Sequence, residues 1–302
     1  QVEASARRWF APFTTVTCTA GPGPDCSIMD RALAGIAATG LEFPMVAKPD
    51  IGWRGFGVRL VADPDELSRY LAAFPEGETV ILQQNVAFDG EVAIFYVRAP
   101  EEPHGRIFSM TFRYFPYVVG DGRSSLRELI GEDVRANWKS QFYHGIDELH
   151  CGLTEECLDS VPAAGTVRRL SFIGSNRVGG LYRDAQPYIT PALTDRVDEI
   201  ARAIPEFWFG RFDARFDTIE ALMRGEDFRI VEINGAGAEA IHVWDPDMSL
   251  MEAWRILFRQ QALMFEIARK NRARGFAPLG FRELCRYQRR QQRLIPLYPP
   301  SN

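Results

Sequence analysis

The stretch GRFDARFDTIEALMRGEDFRIVEINGAGAE, Gly210 to Glu239, sets acidic and basic residues inside two runs that otherwise read as buried strands. If Arg211 to Asp217 is extended, Phe212, Ala214 and Phe216 face one way, and Arg211, Asp213, Arg215 and Asp217 face the other. In the second run Phe228, Ile230, Glu232 and Asn234 are expected to share a face, with Arg229, Val231 and Ile233 opposite. Pairing the runs across Thr218 to Asp227 brings Asp213 beside Glu232 and Asn234. Neighbouring buried carboxylates repel and must be neutralised by a proton, an arginine or a cation. Two carboxylates and an amide oxygen, with room left for water and phosphate, suit Mg²⁺. The alternative is an ion-pair lattice of Asp213, Asp217, Arg211 and Arg215 on an exposed sheet face.

A second cluster lies in VAKPDIGWRGFGVRLV. Lys48 follows an apolar strand, and Gly52, Gly55 and Gly57 let the next turn bring backbone N–H groups close to phosphate oxygens. GK[ST] is absent, so this is no Walker A loop; the glycines follow the lysine, so it is no kinase loop. Downstream, ILQQNVAFDGE offers a strand, a loop and then Glu91. Such a backbone segment can read adenine through its amide and carbonyl groups, with a carboxylate accepting ribose hydroxyls. Taken singly, a glycine-rich turn is a plain turn and Glu91 a surface acid at a strand start.

Lysine with glycine loop, strand-loop-Glu, then D…ExN, in that order over about 190 residues, resembles the ATP-grasp superfamily. In detail it is similar to the carboxylate-amine ligase branch of D-alanine–D-alanine ligase, glutathione synthetase and cyanophycin synthetase. The resemblance implies two α+β lobes gripping ATP between them, ATP and Mg²⁺ as ligands, and a C–N bond made through an acyl phosphate. It implies that Lys48 contacts the α/β-phosphates, that Gly52 to Gly57 form a mobile lid, and that Gln84, Asn85, Val86 and Ala87 line the adenine pocket. Glu91 would hold the ribose. Asp213, Glu232 and Asn234 would be the magnesium ligands, and Arg211 would lie near the transferred phosphoryl group. RYFPYVVGDGRSSLRELI is similar to an R…GDG-K-ST…ELI segment of the same branch, with Arg123 where lysine is usual. SNRVGGLYRD resembles its N-x-x-x-GG substrate loop, which implicates Asn176 and Gly180. Arg215 and Arg168 are candidate carboxylate clamps, and His242 a candidate contact for the second substrate. The branch also has an N-terminal domain and a further phosphate-binding lysine or arginine. Fewer than fifty residues precede Lys48 and none is lysine, so Arg8 or Arg31 would have to serve, or that contact is absent.

The elements that must position these groups alternate along the chain. Helices are expected from Ser27 with Asp30, from Asp63 with Pro64 and a Glu66 capping box, from Ser124 or Ser125, and from Thr190 with Pro191. A further helix runs from a Ser249–Glu252 capping box through Lys270, with Leu250, Trp254, Leu257 and Phe265 on its apolar face. GRIFSMTFRYFPYVV reads as one long strand ending at GDG, and Glu132 to Arg169 shows no clear period. Interleaved helices and hairpins give an α+β (mixed α/β) class. The expected blocks are 1–40 as a short or truncated pre-grasp segment, 41–98 and 99–250 as small and large lobes, and 251–302 as a C-terminal helix and tail.

The 302 residues carry a net charge of -5, with acids and bases mixed, which leaves no nucleic-acid footprint. Five cysteines, Cys18, Cys26, Cys151, Cys157 and Cys285, form no CxxC pair, and a reducing cytoplasm is expected. No stretch of about 18 apolar residues exists. The basic, aromatic CRYQRRQQRLIPLYPPSN could touch an anionic membrane, but a solvated tail is the expectation. Small-molecule carboxylate and amine substrates are expected as partners, and homo-oligomerisation is left open. The rival classes are an ATP-grasp nucleotide-binding module without ligation that acts through a partner, and a grasp kinase with a non-carboxylate acceptor.

Overall fold

The computed structural model describes residues 3–19, 27–143 and 153–301. In chain order the strands are β1 (Phe13–Thr17), β2 (Met45–Pro49), β3 (Arg59–Val61), β4 (Thr79–Gln84), β5 (Gly90–Val97), β6 (Arg106–Tyr114), β7 (Tyr117–Val119), β8 (Val167–Arg169), β9 (Leu181–Asp184), β10 (Phe209–Phe216) and β11 (Phe228–Asn234). The helices are α1 (Ile28–Thr39), α2 (Pro64–Ala72), α3 (Leu126–Glu132), α4 (Val134–Asn137), α5 (Glu155–Asp159), α6 (Pro191–Arg202), α7 (Ile219–Met223), α8 (Leu250–Ala273) and α9 (Phe281–Leu294). The class is α+β, as the interleaved patterns predict. Two compact units form: Gln1–Ala11, Val86–Tyr114 and Leu181–Leu279 make one, and Pro12–Asn85, Phe115–Gly180 and Gly280–Asn302 the other. Each is assembled from separated stretches.

The first unit is built on an antiparallel sheet of order β11-β10-β5-β6-β9. One sheet face, with Val92, Ile94, Met110, Phe112, Phe212 and Phe216, shares a core with Leu193, Val197 and Ile200 of α6. That helix starts as expected: the Thr190 hydroxyl accepts from Leu193 N at 3.1 Å, and Pro191 opens the first turn. On the other face, Phe95, Val97 and Phe209 share a core with Ile256, Leu263, Met264 and Ile267 of α8. The apolar face expected for α8 is therefore turned outward, with Leu250, Trp254 and Phe265 exposed. The helix is apolar along two neighbouring stripes, and periodicity alone cannot choose between them. Its cap is half of the expected box: Ser249 accepts from Glu252 N, while the Glu252 carboxylate pairs with Arg255.

The second unit holds an antiparallel sheet of order β1-β4-β2-β3. Its core joins Met45, Ala47, Val80 and Leu82 to Ile36 of α1 and Leu67, Tyr70 and Leu71 of α2. Ser27 and Asp30 complete the capping box that starts α1. At α2, Asp63 accepts from Glu66 N at 2.8 Å, but the Glu66 carboxylate accepts from Ala62 N, one residue early, so the expected box does not close. The single strand read from Gly105 to Val119 is two, β6 and β7, belonging to different units. The break falls at Phe115 and Pro116, where proline has no N–H to give a ladder. The region without clear period forms α4, α5 and β8, and β8 pairs with β7 beside a small core of Val118, Leu126, Ile130, Leu158 and Leu170.

Among the described residues no helix is long and apolar enough to cross a membrane. Cys18, Cys157 and Cys285 are free thiols, and Cys26 and Cys151 lie outside the described residues. Burial pushes the Cys18 thiol up to about 11, against the nearby charge of Arg31. Since the thiolate is the nucleophile, iodoacetamide at pH 8 should label Cys157 and Cys285 well before Cys18. Peptide mapping by mass spectrometry reads the order, and early labelling of Cys18 would contradict this packing.

Candidate functional site

The pairing of β10 with β11 holds one irregularity. Phe216, Arg215 and Ala214 oppose Phe228, Arg229 and Ile230, but Asp213, Phe212 and Arg211 oppose Glu232, Ile233 and Asn234. Val231 is the extra residue, a β-bulge. Residues opposite each other across a ladder point to the same side. The bulge therefore splits the face expected from simple alternation: Phe228 and Ile230 enter the core, while Glu232 and Asn234 join Asp213 and Arg211 on the ionic side. Without it, Asp213 would stand opposite Val231.

β5 extends this side. Arg215 stands opposite Glu91, with Arg215 Nε to Glu91 Oε2 at 3.2 Å. Glu91 also meets Arg113 of β6, Nη1 to Oε1 at 2.9 Å. The same Arg113 Nη1 reaches Asp213 Oδ2 at 3.1 Å. Arg211 grips Asp213 with both prongs, Nε to Oδ1 at 2.6 Å and Nη2 to Oδ2 at 3.1 Å, and also donates to Glu239 O. Asn234 Nδ2 lies 3.4 Å from Asp213 Oδ2. Asp213 is only 2% exposed. Burial works against the charges of Arg113 and Arg211, but the Asp213 carboxylate, joined at Arg113 by Glu91, outweighs it and raises both. Arg215, where burial dominates, is lowered. The lattice alternative thus describes some of the contacts, but Asp213, Arg211 and Arg215 lie inside the molecule, not on an exposed face.

Arg113 joins the site although its stretch reads in the sequence as one long strand with nothing to single it out. The available signal is its place in the RYFPYVVGDG segment. Its Nε is buried and has no partner among the described residues. Two carboxylates and one amide oxygen, with a buried donor left over, are the donor types that Mg²⁺ and a phosphate would take. Among the described residues no three of His, Cys, Asp and Glu form a metal-holding group, so the amide of Asn234 is needed to complete a set of three. His242, in the same unit, is buried, and burial lowers its basicity against the carboxylates Asp184, Asp245 and Glu252. Its Nδ1 has no partner among the described residues.

The second unit carries the other expected residues. Lys48 lies on β2 and donates from Nζ to Gln83 Oε1 at 2.9 Å. Gln83, a buried polar side chain beside the lysine, was not singled out in the sequence. Gln84 spends its side chain on the Glu42 backbone, accepting from its N at 2.9 Å. Asn85 follows it at the end of this unit's stretch, and Val86 and Ala87 begin the next stretch of the first unit. After Lys48, Gly55 and Gly57 have φ of 77° and 72°, and a Cβ on Gly57 would fall 2.7 Å from Pro49 Cγ. Gly52 has no such requirement.

The loop expected to be a mobile lid is tied down through its carbonyls. Tyr298 OH donates to Ile51 O at 2.8 Å, Gln291 Nε2 to Gly52 O at 3.0 Å, Arg177 Nε to Arg54 O at 3.1 Å, and Ser301 Oγ to Gly55 O at 2.7 Å. Gly179 and Gly180 are required by packing: a Cβ would meet Tyr143 Oη at 2.5 Å and Gly174 O at 2.4 Å. Asn176 is exposed at the start of that turn. Arg168 is exposed on β8, its guanidinium 3.9 Å from Cys157 Sγ. In the GDG turn, Asp121 accepts from the Arg123 and Ser124 backbones, which brings its carboxyl down to about 2. Arg31 spends its guanidinium on the carbonyls of Thr17 and Thr19, and Arg8 lies over the Trp9 ring.

No family model and no curated protein matches the chain. Among solved structures it is similar to a bifunctional glutathione synthetase from Pasteurella multocida (16% identity, 85% of this chain and 34% of that chain, TM-score 0.40). It is also similar to D-alanine–D-alanine ligase from Bacillus anthracis (14%, 90% and 67%, TM-score 0.46) and to VanG D-Ala:D-Ser ligase from Enterococcus faecalis (15%, 86% and 58%, TM-score 0.42). The chain thus spans about a third of the first and under two thirds of the third. These are structures of the ligase branch that the motif order resembles. At such identities no residue's role passes from them to this chain.

Two outcomes check the geometry. Arg113→Met leaves Glu91 and Asp213 short of a buried partner, so it should cost about 3–5 kcal/mol, read as a lower midpoint in urea unfolding. Tyr298→Phe combined with Ser301→Ala removes two ties on the glycine loop. Trypsin cleavage after Arg54 should then be faster by on the order of tenfold, while an unchanged rate would show that these bonds do not hold the loop.

Proposed function

We propose that this chain binds Mg-ATP and uses it to join a carboxylate to an amine. The observation that supports this reading best is the bulge-set pairing of Asp213 with Glu232, with Arg211 and Arg113 on the buried carboxylate and the Arg113 Nε left unpartnered. Buried charges cost free energy, so three arginines gathered with buried Asp213 and Glu91 beside the exposed Glu232 suit a polyanionic ligand better than a purely structural role.

In this reading Asp213, Glu232 and Asn234 would hold Mg²⁺, which would supply neutralisation of phosphate charge. Glu91 accepts the ribose hydroxyls. Lys48 and the backbone after it contact phosphate oxygens, and the segment Gln84, Asn85, Val86 and Ala87 receives adenine. Arg211 and Arg113 stabilise the charge that spreads over the γ-phosphoryl oxygens as it passes in line to the substrate carboxylate. The bond from Pγ to the ADP oxygen breaks and a bond to the carboxylate oxygen forms. The amine nitrogen then attacks the acyl carbon, phosphate leaves, and the amine proton goes to solvent or a nearby base. The protein supplies positioning and fields, with no covalent step of its own. Arg215 and Arg168 are the candidate carboxylate clamps, while Asn176, Gly180 and His242 are candidates to meet a substrate. The small-molecule partners, the lobe boundaries 41–98 and 99–250 and a cytoplasmic setting go with this reading.

Calorimetric titration of ATP with and without Mg²⁺ tests it. Wild type should bind ATP in a magnesium-dependent way. Glu232→Gln, at an exposed position where refolding is not at stake, should weaken that binding by more than the roughly 10–100-fold lost with a mere supporting residue. No ATP binding by the wild type would overturn the reading. ADP release that requires both a carboxylate and an amine identifies the ligase. Binding without turnover leaves the partner-recruiting module, and a stable phosphorylated acceptor leaves the kinase.

A further inference from the structure

The net charge of the chain is -5, yet α9 carries five arginines against one glutamate in fourteen residues. At 100° per residue, Arg282, Arg286, Arg289, Arg290 and Arg293 fall within an arc of about 100°. They line an open groove of ≈ 500 Å³. Arg290 is engaged, donating to the Glu78 carboxylate at 2.9 Å. The opposite side of the helix presents Phe281, Leu284 and Tyr287, which are 79%, 51% and 49% exposed. Only the last turns dock on the rest of the unit, through buried Leu294 and the Gln291 bond to Gly52 O. The first two turns therefore hold guanidinium groups on one side and exposed apolar side chains on the other, with the Glu283 carboxylate accepting from Arg286 and from the Tyr287 hydroxyl.

We infer that α9 is a docking surface for an anionic lipid bilayer. A bilayer interface offers both things the helix presents: phosphate-bearing headgroups for the arginines and an acyl boundary for Phe281, Leu284 and Tyr287. Guanidinium pairs bidentately with phosphate oxygens, and long arginine stems reach headgroups from the upper side of a half-sunk helix. A nucleic-acid backbone or an acidic peptide would satisfy the arginines and leave the apolar side uncovered. The surface rests on no part of the ATP reading, since none of these side chains is placed in that site.

Sedimentation with vesicles tests it, using phosphatidylcholine alone or mixed with phosphatidylserine, at low and high NaCl. One variant carries Arg282→Gln, Arg286→Gln, Arg289→Gln and Arg293→Gln, leaving Arg290 on Glu78; a second carries Phe281→Ser and Leu284→Ser. Both should unfold at the wild-type temperature, because these side chains stand outside the core. Wild type should sediment only with the serine-lipid vesicles and be released by salt. Each arginine near an anionic surface is worth roughly fivefold in partitioning, so the first variant should lose on the order of a hundredfold or more. The second should lose binding as well. Sedimentation with neither vesicle, equal sedimentation with both, or retention by either variant would overturn the proposal. So would binding to a DNA duplex without binding to vesicles.

Discussion

One extra residue in β11 decides which side chains meet. Val231 shifts the register so that Asp213 faces Glu232 and Arg211 faces Asn234, while Ala214 and Ile230 stay paired on the core side. A strand shifted by one residue turns its side chains to the other face. A bulge confines that reversal to one end of the strand, so a single run serves the core with Phe228 and Ile230 and the ionic side with Glu232 and Asn234. The remaining charges follow from unbroken pairing: Glu91 opposite Arg215 on β5, then Arg113 within reach on β6. Four strands, in two pairs far apart in sequence, thus place their polar and charged groups on one side of one sheet.

The types of the site residues were legible in the sequence, and the rule that assembles them was not. Charges inside apolar runs mark Asp213, Arg215 and Glu232 as unusual, and the short hairpin makes their meeting foreseeable. The alternation that placed Phe228 and Glu232 on one face failed because no residue type announces a bulge at Val231. Arg113 escaped for a different reason: its importance comes from Glu91 and Asp213, both distant in sequence. Helix starts were readable wherever a hydroxyl or carboxylate caps a local N–H, as at Ser27, Asp63, Ser125, Thr190 and Ser249. The reciprocal halves of the boxes at Glu66 and Glu252 were not, since a carboxylate on a flexible stem takes the best donor nearby, Ala62 N or Arg255. The face of α8 was beyond reach because both of its stripes are apolar.

The glycine loop joins two needs that pull apart. Gly55 and Gly57 have the conformational freedom a phosphate-contacting turn requires. Every donor that ties the loop, from Arg177, Gln291, Tyr298 and Ser301, binds a carbonyl. Within the loop, Phe56 N also donates to Trp53 O and Val58 N to Gly55 O, so its carbonyls are engaged from both sides. The C-terminal segment is thereby part of the loop's construction: Leu294 and Tyr298 anchor it in the core of the same unit.

The energetics separate stability from use. Two unit charges about 3 Å apart attract by roughly 5 kcal/mol at an effective dielectric near 20, and desolvating each ion costs several kcal/mol in return. The buried pairs around Asp213 therefore contribute little net stability over an apolar core of the same volume, and removing one member costs far more than the whole array supplies. Asp213 already accepts from two arginines, so a divalent cation joining it would have to displace or share a guanidinium. An anion arriving with that cation offers the released guanidinium a new partner. On the proposed reading, the site exchanges some of this internal pairing for a bound cation with its polyanion.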